Sequence, residues 1–288
     1  MATAPRQIAS GFSFLEGPRW HDGRLWMSDF YTHQVISMDE SGGDQRTEAE
    51  VAEQPSGLGW LPDGRLLVVS MRDYKLLRRE ADGSLVEHAD LSQYVEHPLN
   101  DMLVDEQGRA YVGSFGFDLM SGEDPKPTTL ILVEPDGSTR IAADDLMFPN
   151  GVVTLDGGAT LVVAESFGNR MSAFTVTDNG SLAGRREWAR FGPSWKPGQD
   201  LFSLDVIPDG TCAASDGTIW VADAGHQRAV RVAEGGEIVQ EVSGGDLGIF
   251  ACTLGGADGD TLFMCAAPGY EEDQRRATRE AVVLAAKV

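Results

Sequence analysis

The chain has 288 residues, of which 42% are hydrophobic, with 34 Gly and 13 Pro spread along it and a formal net charge of −22. That composition suits a globular protein of many short strands and turns rather than a disordered one. The acidity excludes the basic surface that nucleic acid requires, and because the acids are scattered rather than blocked it points to solubility instead of a cationic partner.

No apolar run approaches the roughly 18 residues needed to cross a membrane. The start, MATAPRQIASGF, lacks the basic segment and apolar run of a secretory leader. Cys212, Cys252 and Cys265 are odd in number and widely spaced, with no C-x-x-C. A cytoplasmic protein without membrane contact is therefore expected, its cysteines small core residues in a reducing compartment.

One pattern recurs along the chain. It opens as EGPRWHDGRLWM at Glu16, PSGLGWLPDGRLLVV at Pro55 and PLNDMLVDEQGRAYV at Pro98. It returns as PNGVVTLDGGATLVV at Pro149, PDGTCAASDGTIWVADAG at Pro208 and, most degenerate, FACTLGGADGDTLFM at Phe250. The turn glycines Gly23, Gly64, Gly108, Gly158, Gly217 and Gly259 follow one another at about 40 to 60 residues, the period of propeller blades. Asp-Gly and Gly-Gly supply the positive φ of tight hairpins. The segments after them, 24–27, 66–69, 110–112, 160–163 and 219–222, are short, apolar and rich in β-formers.

Six such units predict an all-β, six-bladed β-propeller occupying 1–288 as a single domain, since one blade alone cannot bury both faces. The sixth unit is short of a full four strands, so residues 6–9 are expected to supply its outer strand and close the ring. Longer intervals mark insertions at 117–127 and 183–202, and insertions gather on the binding face. The second carries Trp188, Phe191, Pro193, Trp195, Pro197 and Phe202 and reads as an ordered flap near a pocket mouth. Helical periodicity is nearly absent. Residues 271–280, EEDQRRATRE, are read as a loop before a last strand at 281–286, with an exposed helical turn as the alternative.

In a propeller the innermost strand of each blade lines the central channel, so the polar residue at its start points to the channel mouth. The six starts give Glu16, Ser56, Asn100 with Asp101, Asn150, Asp209, and Phe250 or Ala251. Carboxylates and amides without His or Cys suit a hard divalent cation such as Ca²⁺, Mg²⁺ or Mn²⁺, although Zn²⁺ also accepts carboxylates. Asn-Gly and Asp-Gly are also ordinary turn dipeptides. Position separates the two readings: Gly151 and Gly210 stand at the repeat position of Asp101 and Gly57, and a purely structural need would repeat one residue, whereas a site draws different ligands from different blades.

These residues carry a resemblance. On Glu16-Gly17-Pro18, Leu99-Asn100-Asp101, Pro149-Asn150-Gly151 and Pro208-Asp209-Gly210, in that order at blade spacing over nearly the whole chain, the sequence resembles the SMP-30/gluconolactonase/LRE (regucalcin-like) family. The resemblance implies a propeller with one divalent metal held by Glu16, Asn150 and Asp209. It places Asn100 beside them, on substrate or a metal-bound water, and makes Asp101 a nearby carboxylate. It implies hydrolysis of a lactone, with Asp209 or Asp101 as general base.

The chain also departs from the family. Where vertebrate members carry an Arg two residues before the Asn of the Asn-Asp pair, this chain has Pro98. Phe14, Leu15, Leu99, Met147, Phe148 and Phe250 around the mouth are apolar. Phe14, Leu99, Phe148 and Phe250, with Asn100, are the candidate substrate contacts, and the expected substrate is a small lactone or ester more apolar than a sugar acid. A phosphotriesterase- or aryl-esterase-like hydrolase, a biosynthetic rearrangement or ring closure, and a non-catalytic calcium-binding propeller stay open. His226 and Ser166 are weaker candidates: Ser166 stands in E-S-F-G, not in a G-x-S-x-G elbow. Glu165 and Asp223 read as loop or packing partners. A monomer is expected, because a closed propeller covers most strand edges.

Overall fold

The computed structural model describes residues 4–288. They form six four-stranded antiparallel sheets arranged as a six-bladed β-propeller. From the inner strand outward, blade one is Leu15–His21, Arg24–Asp29, Gln34–Met38 and Arg46–Glu50. The inner strands of blades two to six are Pro55–Trp60, Leu99–Val104, Pro149–Leu155, Pro208–Ala213 and Gly248–Gly255. Each inner strand touches the next, and that of blade six touches that of blade one, so the ring is closed. The strand Arg6–Phe12 pairs with Ala281–Lys287 and is the outer strand of blade six. Both chain ends thus meet in one sheet, and the hydrogen bonds between them tie the ring shut.

Alternation along each strand builds the core between blades. In Ile219–Asp223, Ile219 and Val221 pack with Trp188, Val162 and Met171 of blade four. Trp220, between them, packs the other way, against Leu262 and Met264 of blade six. Trp188 and Trp220 are both fully buried. No helix among the described residues is long and apolar enough to cross a membrane.

Two segments differ from the sequence expectation. Half of the 183–202 insertion is regular structure, because Leu182–Arg190 is the outer strand of blade four. Its charged run R-R-E faces solvent on an edge strand, which hides the strand pattern, and only the stretch after it is a flap. Residues 271–280 include a helix, Glu272–Ala277, rather than a plain loop. Acids lie in its first turn and arginines in its last, the order that favours a helix.

Every inner strand breaks its register near its start. The shifts fall at Glu16/Arg19, Pro55/Leu58, Leu99/Met102, Pro149/Val152, Pro208/Thr211 and Ile249/Ala251. A bulge frees a residue from the ladder and re-aims it, and here it does so at the ring's centre. The glycine after the polar residue follows from crowding there. A Cβ on Gly151 would stand 2.5 Å from both the Thr211 amide nitrogen and its Oγ1. Gly151→Ala is expected to lower stability by about 1–3 kcal/mol through overpacking, read from the denaturation midpoint; an unchanged midpoint would contradict the close approach.

Candidate functional site

Glu16, Asn100, Asn150 and Asp209 are each the second residue of an inner strand. Four blades therefore present them at one level, on the floor of a cavity of about 90 Å³. Around them the wall is aromatic: Phe14, Phe30, Phe115, Phe148, Phe167 and Phe250, with Tyr31, Phe202 and Tyr270 nearer the rim. Phe14 and Phe250 stand 4.8 Å apart between centroids, and Phe148 and Phe167 5.1 Å. Among the described residues, no Lys or Arg lines this cavity.

The floor is electrostatically unbalanced. Burial, then the Asp209 and Asp101 carboxylates, hold the Glu16 carboxyl well above its usual range. Burial and Asp101 do the same to Asp209, against a hydrogen bond from Asn150 and the Gly210 amide. Asn150 also donates to Ser166 Oγ at 3.5 Å, and Ser166 donates to the Pro208 carbonyl at 2.7 Å. This serine therefore links the strands that carry Asn150 and Asp209. Asn100 Nδ2 donates to the Pro149 carbonyl at 3.4 Å.

Asp101 and Leu99 are placed differently from the other candidates. Asp101 is buried, accepts the Met102 amide at 2.8 Å and pairs with Arg19 at 2.7 Å; it does not border the cavity. Leu99 precedes Asn100 on a strand, so it points away from the cavity and is fully buried in the core. Phe14, Phe148 and Phe250 do line the cavity.

Three acids at the ends of second strands hold the loops that carry the wall. Asp29 accepts the Ser13 and Phe14 amides, each at 3.1 Å. Glu165 accepts the Met147 amide at 3.0 Å, and Asp223 the Ile207 amide at 3.0 Å. His226 hydrogen-bonds Asp223 at 2.9 Å through Nδ1 and lies outside the cavity wall, which makes it a loop partner rather than a base.

The sequence reading expected the 117–127 and 183–202 insertions on the binding face, with Phe202 in a flap near the pocket mouth, but named no other rim residue. Leu119 and Met120 come from the blade-three insertion, Phe202 from the flap, and Tyr270 from the segment before the short helix. Those loops follow no repeat, so only their aromatic content gave a signal. Tyr31 was missed too; burial and then the Glu272 carboxylate hold its phenol above the ordinary range, so it stays a hydrogen-bond donor. Arg19 had one available signal, a cation on a channel strand next to the Glu16 motif.

Among solved structures, a luciferin-regenerating enzyme superposes with a TM-score of 0.82 at 17% identity, covering 100% of this chain and 96% of that one. A calcium-binding protein, regucalcin, from Agrobacterium tumefaciens gives 0.80 at 18% identity, covering 98% and 92%. A gluconolactonase from Xanthomonas campestris gives 0.74 at 21% identity, covering 98% and 89%. At these identities the likeness is one of fold. The sequence itself matches the SMP-30/Gluconolactonase/LRE-like region over residues 14–268, a span that holds all four floor residues and all six inner strands. The chain belongs to the SMP-30/gluconolactonase/LRE-like family.

Proposed function

We propose that the protein is a metal-dependent hydrolase that opens an apolar lactone. The observation that carries this is a floor of two carboxylates and two amides beneath an aromatic wall without a cation. Two buried carboxyls, both pushed up by burial and by the nearby Asp101, and Glu16 also by Asp209, are a poor arrangement alone and a good one around a positive ion. Among the described residues no three His, Cys, Asp or Glu side chains are grouped to hold a metal; the set depends on the amide of Asn150.

Glu16, Asn150 and Asp209 fit a hard divalent ion, Ca²⁺ first, with Mg²⁺, Mn²⁺ or Zn²⁺ as alternatives. Calcium is favoured by the oxygen-only donors, and a calcium-binding relative of the same fold agrees with it. When bound, the ion supplies Lewis acidity toward the ester carbonyl and its water nucleophile. Asp209 takes the proton of the attacking water, as a carboxylate at the cation site that is free of an arginine partner. Asn100, across the floor, hydrogen-bonds the ester group. The phenylalanine wall packs the substrate ring and keeps bulk water out.

The wall also selects. A sugar acid needs several donors, and apart from Tyr31, Tyr270 and Ser166 the cavity above the floor has none on its side chains. The test is a lactone panel on chelator-treated protein, with each cation added back singly. Aryl and alkyl lactones are expected to exceed gluconolactone by about tenfold or more in kcat/KM, since each misplaced or unmet polar group costs at least that much. Preference for gluconolactone would overturn the substrate class, and cation-independent turnover would overturn the metal role.

A further inference from the structure

Beneath the floor lies a second charged pair that the proposed reaction does not use. Arg19 stands on the same inner strand as Glu16 and reaches across the channel from blade one to blade three. Its Nη2 donates to Asp101 Oδ1 at 2.7 Å and to the Met102 carbonyl. Its Nη1 donates to the Pro18 carbonyl at 2.9 Å. Neither Arg19 nor Asp101 borders the cavity, so neither touches substrate there. Both stand close to the floor in the fold: Arg19 is three residues beyond Glu16 on one inner strand, and Asp101 directly follows Asn100 on another. Three carboxylates and one guanidinium share one buried channel, where charges are weakly screened.

We propose that Arg19 sets the charge of the cation site: by pairing with Asp101 it cancels that carboxylate, so that Glu16 and Asp209 alone face the cation and a divalent ion is preferred over a trivalent one. The inference rests on the metal reading above and concerns a residue that holds no ligand itself. It explains why an acid occupies, in blade three only, the position that is glycine in blades two, four and five: Asp101 is there to meet Arg19. Arg19 is therefore a positioning residue, and its effect is on affinity and ion selectivity.

The experiment is calorimetric titration of Ca²⁺ and of Tb³⁺ into the chelator-treated full chain, without substrate. The proteins are wild type, Arg19→Gln, Asp101→Asn, the double variant and Arg19→Lys. In Arg19→Gln the uncovered Asp101 is expected to tighten Ca²⁺ by about tenfold and Tb³⁺ by more. In Asp101→Asn the uncovered guanidinium is expected to weaken Ca²⁺ by about tenfold or more. The double variant restores the formal balance and is expected within about threefold of wild type, as is Arg19→Lys, since additive opposite terms cancel. Opposite signs in the two single variants are the mark of a charge effect. Weakening in both would show a structural brace and overturn the proposal. Should Arg19→Gln fail to fold, unchanged affinity in Asp101→Asn, or lost affinity in the double variant, overturns it as well. Wild-type protein that binds neither ion would instead sink the cation site, and the role of Arg19 with it.

Discussion

Asp209→Asn is expected to keep the fold and to lose about 10³-fold in lactone turnover at saturating cation, within the range that general-base removal covers. The amide has nearly the shape of the carboxylate, so the bulge at Pro208/Thr211 and the neighbouring Asn150 are not displaced. What disappears is the proton acceptor, together with one negative charge of the cation site, which saturating cation offsets. Stability should move the other way. Asp209 is held above the usual carboxylate range by burial and by Asp101. A group with a raised native pKa contributes stability below its unfolded value and loses it as pH rises through the native one. At neutral pH, in chelator, the wild-type chain carries that cost and the Asn variant does not. Its melting temperature is therefore expected to equal or exceed that of wild type. A nearly full catalytic rate would remove Asp209 from the role, and a collapsed melting temperature would make the lost activity structural.

The second large effect is expected at a buried acid that does not itself line the cavity. Glu165 is fully buried and gathers Arg170 through two bonds of 2.9 Å, Arg185 at 3.0 Å, the Ser172 hydroxyl and the Met147 amide. Burial pushes its pKa up, but the bonds from Arg170, Ser172 and Met147, with the Arg170 charge, outweigh burial and leave it below the usual range. Glu165→Ala strands the Arg170 guanidinium, the Ser172 hydroxyl and the Met147 amide, while Arg185 keeps the Asp144 and Asp145 carbonyls. The expected loss is about 3–5 kcal/mol, the cost of breaking a buried pair on one side. The pH dependence has the opposite sign to that of Asp209. A depressed pKa gives stability that is present above the unfolded value and fades as pH falls through the native one. The gap between wild type and Glu165→Ala in denaturant melts should therefore be full at neutral pH and shrink in acid. A gap that does not change with pH would show that packing, not charge, accounts for the loss. Because the Met147 amide leads into Phe148 of the cavity wall, a rise in KM for an apolar lactone is expected to accompany the lost stability.

The repeat was legible because hairpin chemistry is local. A tight turn ending in glycine precedes the second strand of each blade, and the strands expected at 24–27, 66–69, 110–112, 160–163 and 219–222 lie within Arg24–Asp29, Leu66–Ser70, Ala110–Ser114, Thr160–Glu165 and Ile219–Asp223. The floor was legible for a related reason. One repeat position carries Glu16, Ser56, Asn100, Asn150 and Asp209 in successive blades, and variation at a fixed position of a ring is a convergence of different groups at its centre. The strand Leu182–Arg190 was harder to see, because an outer strand buries only part of itself and R-R-E reads as loop. The helix Glu272–Ala277 was masked by its length, since six residues show too little periodicity.

What the sequence determined by itself is thus the order of turns, the six-fold repetition and the identity of the groups at the ring's centre, all of which depend on neighbours along the chain. Tertiary structure alone decided which of those groups face the cavity. Asn100 and Asp101 are adjacent, yet the bulge turns one toward the floor while the other meets Arg19 from a strand 82 residues away. It also decided the rest of the wall, where Phe30, Phe115 and Phe167 join the expected Phe14, Phe148 and Phe250. The physical reason is the closing of the ring. Only when the strand Arg6–Phe12 joins Ala281–Lys287 do side chains distant in sequence share one buried volume, and only there do their charges act on one another.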